Sequence, residues 1–195
     1  MYKIVLFLHI FGVVLMFAAV GITISTMLAM LLSKETKTLR IWSAWAVKMD
    51  GLLPVSVIFV LLPGLYLVFS TWGWKIAWVN TSLITLLAMT FAGPIINLRR
   101  LKAILNLANS ESQPTPSSEL LAKVRDRVLW NTVSIMCMLL VGIIYLMTVK
   151  PGMSGSFVTL GISIILGLIV ANILLGSAMK SDRSTAVNRD TTSRY

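Results

Sequence analysis

The sequence predicts an all-α fold: a polytopic transmembrane helix bundle of five spans. Three observations lead there. Of 195 residues, 57% are hydrophobic and only 12% are charged, whereas a soluble domain carries about 25% charge. The apolar residues fall in blocks of about twenty or more, each long enough to cross a ~30 Å hydrocarbon layer. The basic residues gather at the ends of those blocks. With that placement the net charge of +10 reads as the positive-inside bias of a membrane protein, and nucleic acid is excluded as a partner.

The first span covers residues 4–32 and carries the only histidine, His9, with no charged residue. His9, Gly12, Met16, Ala19, Thr23 and Thr26 recur at alternating steps of three and four, which places them in one seam. Small and weakly polar residues mark where helices touch in lipid, because they let backbones approach. The seam should therefore face other helices, while Phe7, Phe11 and Val14 face lipid. A hydroxyl, amide or carbonyl from the third, fourth or fifth span is the expected partner of the imidazole.

A polar connection, residues 33–50, follows and re-enters the interface on Trp42 and Trp45, its second half already helix-forming. The second span covers residues 51–70. Pro54 lies in its first turn, where proline is tolerated, and Pro63 is central and should kink it. Trp72, Trp74 and Trp78 form an aromatic belt at the next turn. The third span, residues 76–98, should kink at Pro94. The longest polar connection spans residues 103–127; its Pro- and Ser-rich centre is a flexible loop, and a helix should start near Ser118. The fourth span covers 128–149 and the fifth 156–179. These five spans form one domain over 1–179, and the polar tail, residues 180–195, is expected to be disordered.

Five spans place the termini on opposite sides. Lys34, Lys37, Arg40, Lys48, Arg99, Arg100, Lys102, Lys123, Arg125, Arg127, Lys180, Arg183, Arg189 and Arg194 lie on one side. Only Lys3, Lys75 and Lys150 lie on the other. The bias sets the N-terminus outside and the C-terminus in the cytoplasm of a bacterial inner membrane. The single cysteine, Cys137, permits no intrachain disulfide.

No motif of a soluble enzyme is present, and no Asp, Glu, Lys or Arg falls in the core of a span. Proton-coupled transporters usually place ionisable groups there. His9 is the one ligand-type residue. It is either an axial haem or metal ligand, or a neutral histidine bonded to a neighbouring helix. A second axial position would fall to Met16, Met89, Met136 or Met138. Thr23, Asn80, Thr85, Asn131 and Ser134 are candidates for a polar bundle interior, either as interhelical hydrogen bonds or as the lining of a cavity. No metal site is expected from the remaining residues.

The stretch Phe7-Leu-His-Ile-Phe-Gly-Val-Val-Leu-Met-Phe-Ala-Ala19 resembles the start of several bacterial membrane families that share a pattern near L-H-I-x-G-x-V-x-W-F-G-G. These are the copper-resistance D type, the HemJ-type protoporphyrinogen oxidases and a family of predicted integral membrane proteins of unknown function. The last is nearest in size, in a second helix ending Pro-Gly-Leu-Tyr-Leu, and in its Gly-Trp turn. Met16 stands in place of the pattern's tryptophan, and Ala18 and Ala19 in place of its glycines. The HemJ resemblance implies a haem-linked role for His9. Two functions follow as expectations. One is a non-enzymatic membrane protein, acting by interaction, including with a second copy of itself, or by passage of a small solute through the bundle. The other is a haem-dependent redox protein with His9 as axial ligand.

Overall fold

The computed structural model describes residues 1–177; the tail expected over 180–195 lies outside them. The elements are α1 (Tyr2–Leu32), α2 (Thr36–Asp50), α3 (Leu53–Leu67), α4 (Ala77–Ala92), α5 (Arg99–Ser110), α6 (Ser118–Val124) and α7 (Arg127–Val149). The last, α8, is described over Met153–Ser177. No strand occurs among the described residues. Five helical stretches are long and apolar enough to cross a membrane: Tyr2–Leu32, Thr36–Trp72, Ala77–Ser110, Ser118–Val149 and Met153–Ser177.

Helix ends and turns follow local chemistry. Asp126 caps α7 by accepting from the Val128 amide at 2.9 Å, and Ser117 caps α6 by accepting from that of Leu120 at 3.2 Å. Lys150 leaves α7 in the left-handed region at φ 55°, with Pro151 behind it. Pro63 lies inside α3, which runs on into a π-helical turn, Val68–Trp72, closed by Gly73 at φ 78°. Pro94 lies in a second π-helical turn, Gly93–Leu98, that joins α4 to α5. A residue without an N–H breaks the regular ladder, and a widened turn is one way for a helix to continue past it.

The two polar connections are far more helical than their composition suggested. α2 buries Thr36, Leu39, Ser43, Ala46 and Asp50 at steps of three and four, and α5 buries Leu101, Ile104 and Ala108 in the same rhythm. Each is an amphipathic helix with charge on its other face. Both pack into a core with Met27 and Met30 of α1, Leu120 and Val124 of α6, Leu129 and Trp130 of α7, and Ala171 and Leu175 of α8. The Trp130 indole donates to the Val124 carbonyl at 2.9 Å. Arg40 donates to the carbonyls of Ala108 and Glu111, tying α2 to the end of α5, and Arg100 pairs with Asp126.

This core sits at one end of the bundle, the Trp130 end; His9 and the tryptophans at 72, 74 and 78 mark the other. A 31-residue α1 is about 46 Å long at the helical rise. It is longer than a ~30 Å hydrocarbon layer needs. Of the expected belt only Trp74 is exposed, Trp78 being buried, and the exposed Trp42 and Trp45 lie on α2. Within the bundle α1 packs chiefly on α3, and α7 on α8.

Candidate functional site

The site begins with Gly12. A Cβ there would lie 2.7 Å from the Phe59 carbonyl carbon and 2.8 Å from the Val60 nitrogen, so only glycine allows α1 to lie this close to α3. All six seam residues, His9, Gly12, Met16, Ala19, Thr23 and Thr26, are buried. Phe7, Phe11 and Val14 are exposed. One turn from Gly12, the His9 ring passes over Gly64, whose missing side chain leaves it room.

His9 Nδ1 lies 2.8 Å from the Val60 carbonyl oxygen. The partner thus comes from the second span, not from the third, fourth or fifth as the sequence suggested, because the Gly12 contact brings α3 against this face first. A carbonyl only accepts, so Nδ1 carries the proton. In the neutral ring Nε2 is then a bare acceptor. It is buried and has no protein partner among the described residues.

His9 belongs to the lining of a cavity of about 350 Å³ bounded by α1, α3, α4 and α7. The walls are apolar: Val13, Met16, Val60, Leu61, Leu83, Leu86, Ile143 and Met147 among others. Ser82 also lines it, and its buried hydroxyl likewise lacks a partner. Trp72 and Trp78, edge to face at 5.2 Å, close its far end, and the Lys150 ammonium lies 5.7 Å from the Trp78 ring centre. Ile10 and Ile144 line the cavity and are also exposed on the bundle's outside. Between α1 and α7, which meet only sparsely, the cavity has an edge toward lipid.

A second, smaller cavity of about 60 Å³ lies directly beyond the first, toward the Trp130 end. On all four helices its lining residues continue those of the first, and the two share Met16, Leu86 and Leu140. They form one axial file with an apolar constriction between. The second cavity holds Asp50, the last residue of α2, which is 5% exposed.

The five candidates for a polar interior, Thr23, Asn80, Thr85, Asn131 and Ser134, are spread along the bundle. Thr23 and Thr85 bond back to their own helices, at the carbonyls of Ala19 and Thr81. Asn80 donates to the Trp74 carbonyl at 2.8 Å. Asn131 is half-buried at the start of α7, and Ser134 is buried where α8 crosses at Gly167. None of the five lines either cavity. Asn80 opens α4 and Asn131 opens α7, and these helices run in opposite directions, so the two amides stand at opposite ends. A helix hydroxyl in lipid satisfies itself on its own preceding turn.

Two residues escaped sequence reasoning. Ser82 gave no signal beyond being one of several hydroxyls in its span. Asp50 did: it continues the buried rhythm of Thr36, Leu39, Ser43 and Ala46. It lies one residue before the expected second span, outside the span cores, and enters the bundle because α2 is a packed helix that delivers its last residue inward. No three His, Cys, Asp or Glu side chains gather among the described residues.

No curated protein and no solved structure matches the chain. A family described as predicted integral membrane proteins, DUF2269, matches residues 3–151. That match takes in α1 to α7 and both cavities, and the chain therefore belongs to this family of integral membrane proteins.

Proposed function

We propose that the protein binds a small lipophilic solute in the larger cavity, as a station for its passage through the bundle, and that His9 Nε2 is the polar anchor. The observation that carries this is His9, a lining residue of a largely apolar cavity whose buried Nε2 has no protein partner among the described residues. A buried acceptor without a partner is costly, and a ligand hydroxyl or N–H would supply the bond. The volume falls in the usual range for small-molecule pockets, about 300–1,000 Å³. The fitting ligand has an apolar body and one donor for His9, with Ser82 as a second contact. The reading is a non-enzymatic one. In this reading the protein sits in a bacterial inner membrane with its N-terminus outside and its C-terminus cytoplasmic, as the distribution of Lys and Arg favours.

An alkylphenol and the alkylbenzene of the same size test it in lipid nanodiscs, read by tryptophan emission from Trp72 and Trp78. The phenol should bind saturably and lose about tenfold in affinity in His9→Phe, the worth of one hydrogen bond. The alkylbenzene should be indifferent to that substitution. Saturable binding of neither probe, or phenol binding unchanged in His9→Phe, would overturn the reading.

A second reading has an observation of its own. An imidazole whose Nδ1–H is held by a backbone carbonyl while Nε2 is free is oriented as a metal-ligating histidine is. Met16 and Met147 also line the cavity, so His9 with a methionine thioether would be the residues to hold a haem there. Met89 and Met136 line the smaller cavity instead. Bound there, haem would supply one-electron chemistry; the chain would fix the ring by Val60 and exclude water with its apolar walls. A Soret band after expression with ample haem, lost in His9→Ala, would establish this reading. Its absence leaves the lipophilic solute.

A further inference from the structure

We propose that Asp50 is a proton-binding site at the Trp130 end of the axial file, whose neutral acid keeps the smaller cavity closed and whose ionisation draws water into it. The proposal stands whether or not a ligand binds at His9. Asp50 is 95% buried, faces the smaller cavity, and has neither a hydrogen bond nor an ion pair among the described residues. The start of α3 lies just ahead of it, yet no amide there bonds the carboxyl group. The cavity lining other than Asp50 is neutral: Met16 and Val20 from α1, Val57 from α3, Thr90 from α4, Pro94 from the π-helical turn and Met136 from α7; α5 also packs on α2, but its Arg99, Arg100 and Lys102 do not line the cavity. The nearest cation in sequence, Lys48, has its ammonium 5.4 Å from the Trp45 ring centre and does not line the cavity.

An ionised carboxylate in such surroundings is strongly disfavoured. Two remedies exist: a bound cation or a bound proton. Hard cations take about six or more oxygen ligands. This cavity offers the carboxyl group and the Thr90 hydroxyl, which already donates to the Leu86 carbonyl. A proton needs no further ligand. It comes from water and returns to it, converting carboxylate to carboxylic acid and back, with no other bond changed. The cavity of about 60 Å³ would take about two waters at ~30 Å³ each, enough to solvate the ionised form.

Infrared spectroscopy of the full chain in nanodiscs tests the first half. The carbonyl stretch of a protonated carboxylic acid should be present at mildly acid pH, where ordinary carboxyl groups are ionised, shift in deuterium oxide and fade as the pH rises. It should vanish in Asp50→Asn and persist in Asp50→Glu. Hydration is tested by Val57→Cys in a Cys137→Ser background, with a charged water-soluble thiol reagent. The ratio of labelling rates without and with Asp50→Asn should be near one at acid pH and rise several-fold at alkaline pH, the thiol's own titration cancelling. A carboxylate spectrum alone at mildly acid pH, or a flat ratio, overturns the proposal. Should Asp50→Asn fail to fold, the pH titration of the wild-type band still decides. Alkylphenol binding should survive Asp50→Asn, so failure here and failure of the His9 reading are distinguishable.

Discussion

Adding one methyl group at Gly12 should open the joint on which the His9 site depends. In Gly12→Ala the new Cβ would stand 2.7 Å from the Phe59 carbonyl carbon, whereas ordinary contact begins near 3.4 Å. The atoms in the way are backbone, so no rotamer change relieves them. α1 must move off α3 by about 0.7 Å, and carried along the helix that shift takes the 2.8 Å His9–Val60 bond to about 3.5 Å, the edge of hydrogen bonding. Overpacking costs about 1–3 kcal/mol and the bond about 0.5–1.5 kcal/mol. Gly21→Ala is the control: it lies on the same helix and its Cβ would meet nothing within 4 Å. Reversible unfolding in mixed micelles reads the stability. Because His9 is the only histidine, nitrogen-15 histidine NMR of a chain purified without a histidine tag reports this one ring. The wild type should show a protonated, hydrogen-bonded Nδ1 and a bare Nε2; Gly12→Ala should lose that signature along with about 2–4 kcal/mol. Gly12→Ala matching Gly21→Ala in stability, with the imidazole spectrum unchanged, would refute the reasoning.

Gly167→Ala should likewise weaken the α7–α8 pair by about 1–3 kcal/mol in the same unfolding assay, because its Cβ would lie 2.8 Å from the Ile135 nitrogen. Trp130→Phe leaves the Val124 carbonyl without its indole donor and should cost about 1–3 kcal/mol, read by urea unfolding in micelles. Asp126→Ala removes the α7 cap and should cost about 1 kcal/mol, while removing Arg100 alone should cost less, since its side chain is 39% exposed. A reporter fused after Tyr195 should be active only in the cytoplasm; activity confined to the periplasm would reverse the proposed orientation.

The class of fold was legible because lipid imposes a length and a composition on each span. The His9 face was legible for a related reason: in hydrocarbon, small residues can mark an interface, and Gly12, Ala19 and Thr23 alternate with bulky neighbours. Which helix the face meets was not. That depends on Gly64 and on the Phe59–Val60 backbone, 51 residues from His9, and nothing in the local pattern of either segment names the other. Asp50 passed unnoticed because it closes a segment of mixed polarity next to the second span. Its helix carries Thr36 and Ser43 on the buried face, where a reader of hydropathy sees polarity, not periodicity. Hydroxyls and amides grouped by type in the sequence stand at different heights along antiparallel helices, which sequence pattern does not register.

The core around Trp130 makes this a protein with two solvents. Within lipid, burying an apolar side chain exchanges one hydrocarbon contact for another, so the His9 end is held by close fit. At the Trp130 end α2 and α5 carry charged outer faces suited to water, and there burial of Leu39, Leu101, Ile104 and Leu120 is driven by the hydrophobic effect. Urea and temperature act on that drive, whereas bilayer thickness acts on the spans through mismatch. Two unfolding events with separate sensitivities are the consequence, one set by the aqueous phase and one by the choice of lipid. α1 and α7 pass without interruption from one regime to the other, so a disturbance begun in either is felt along the same two rods.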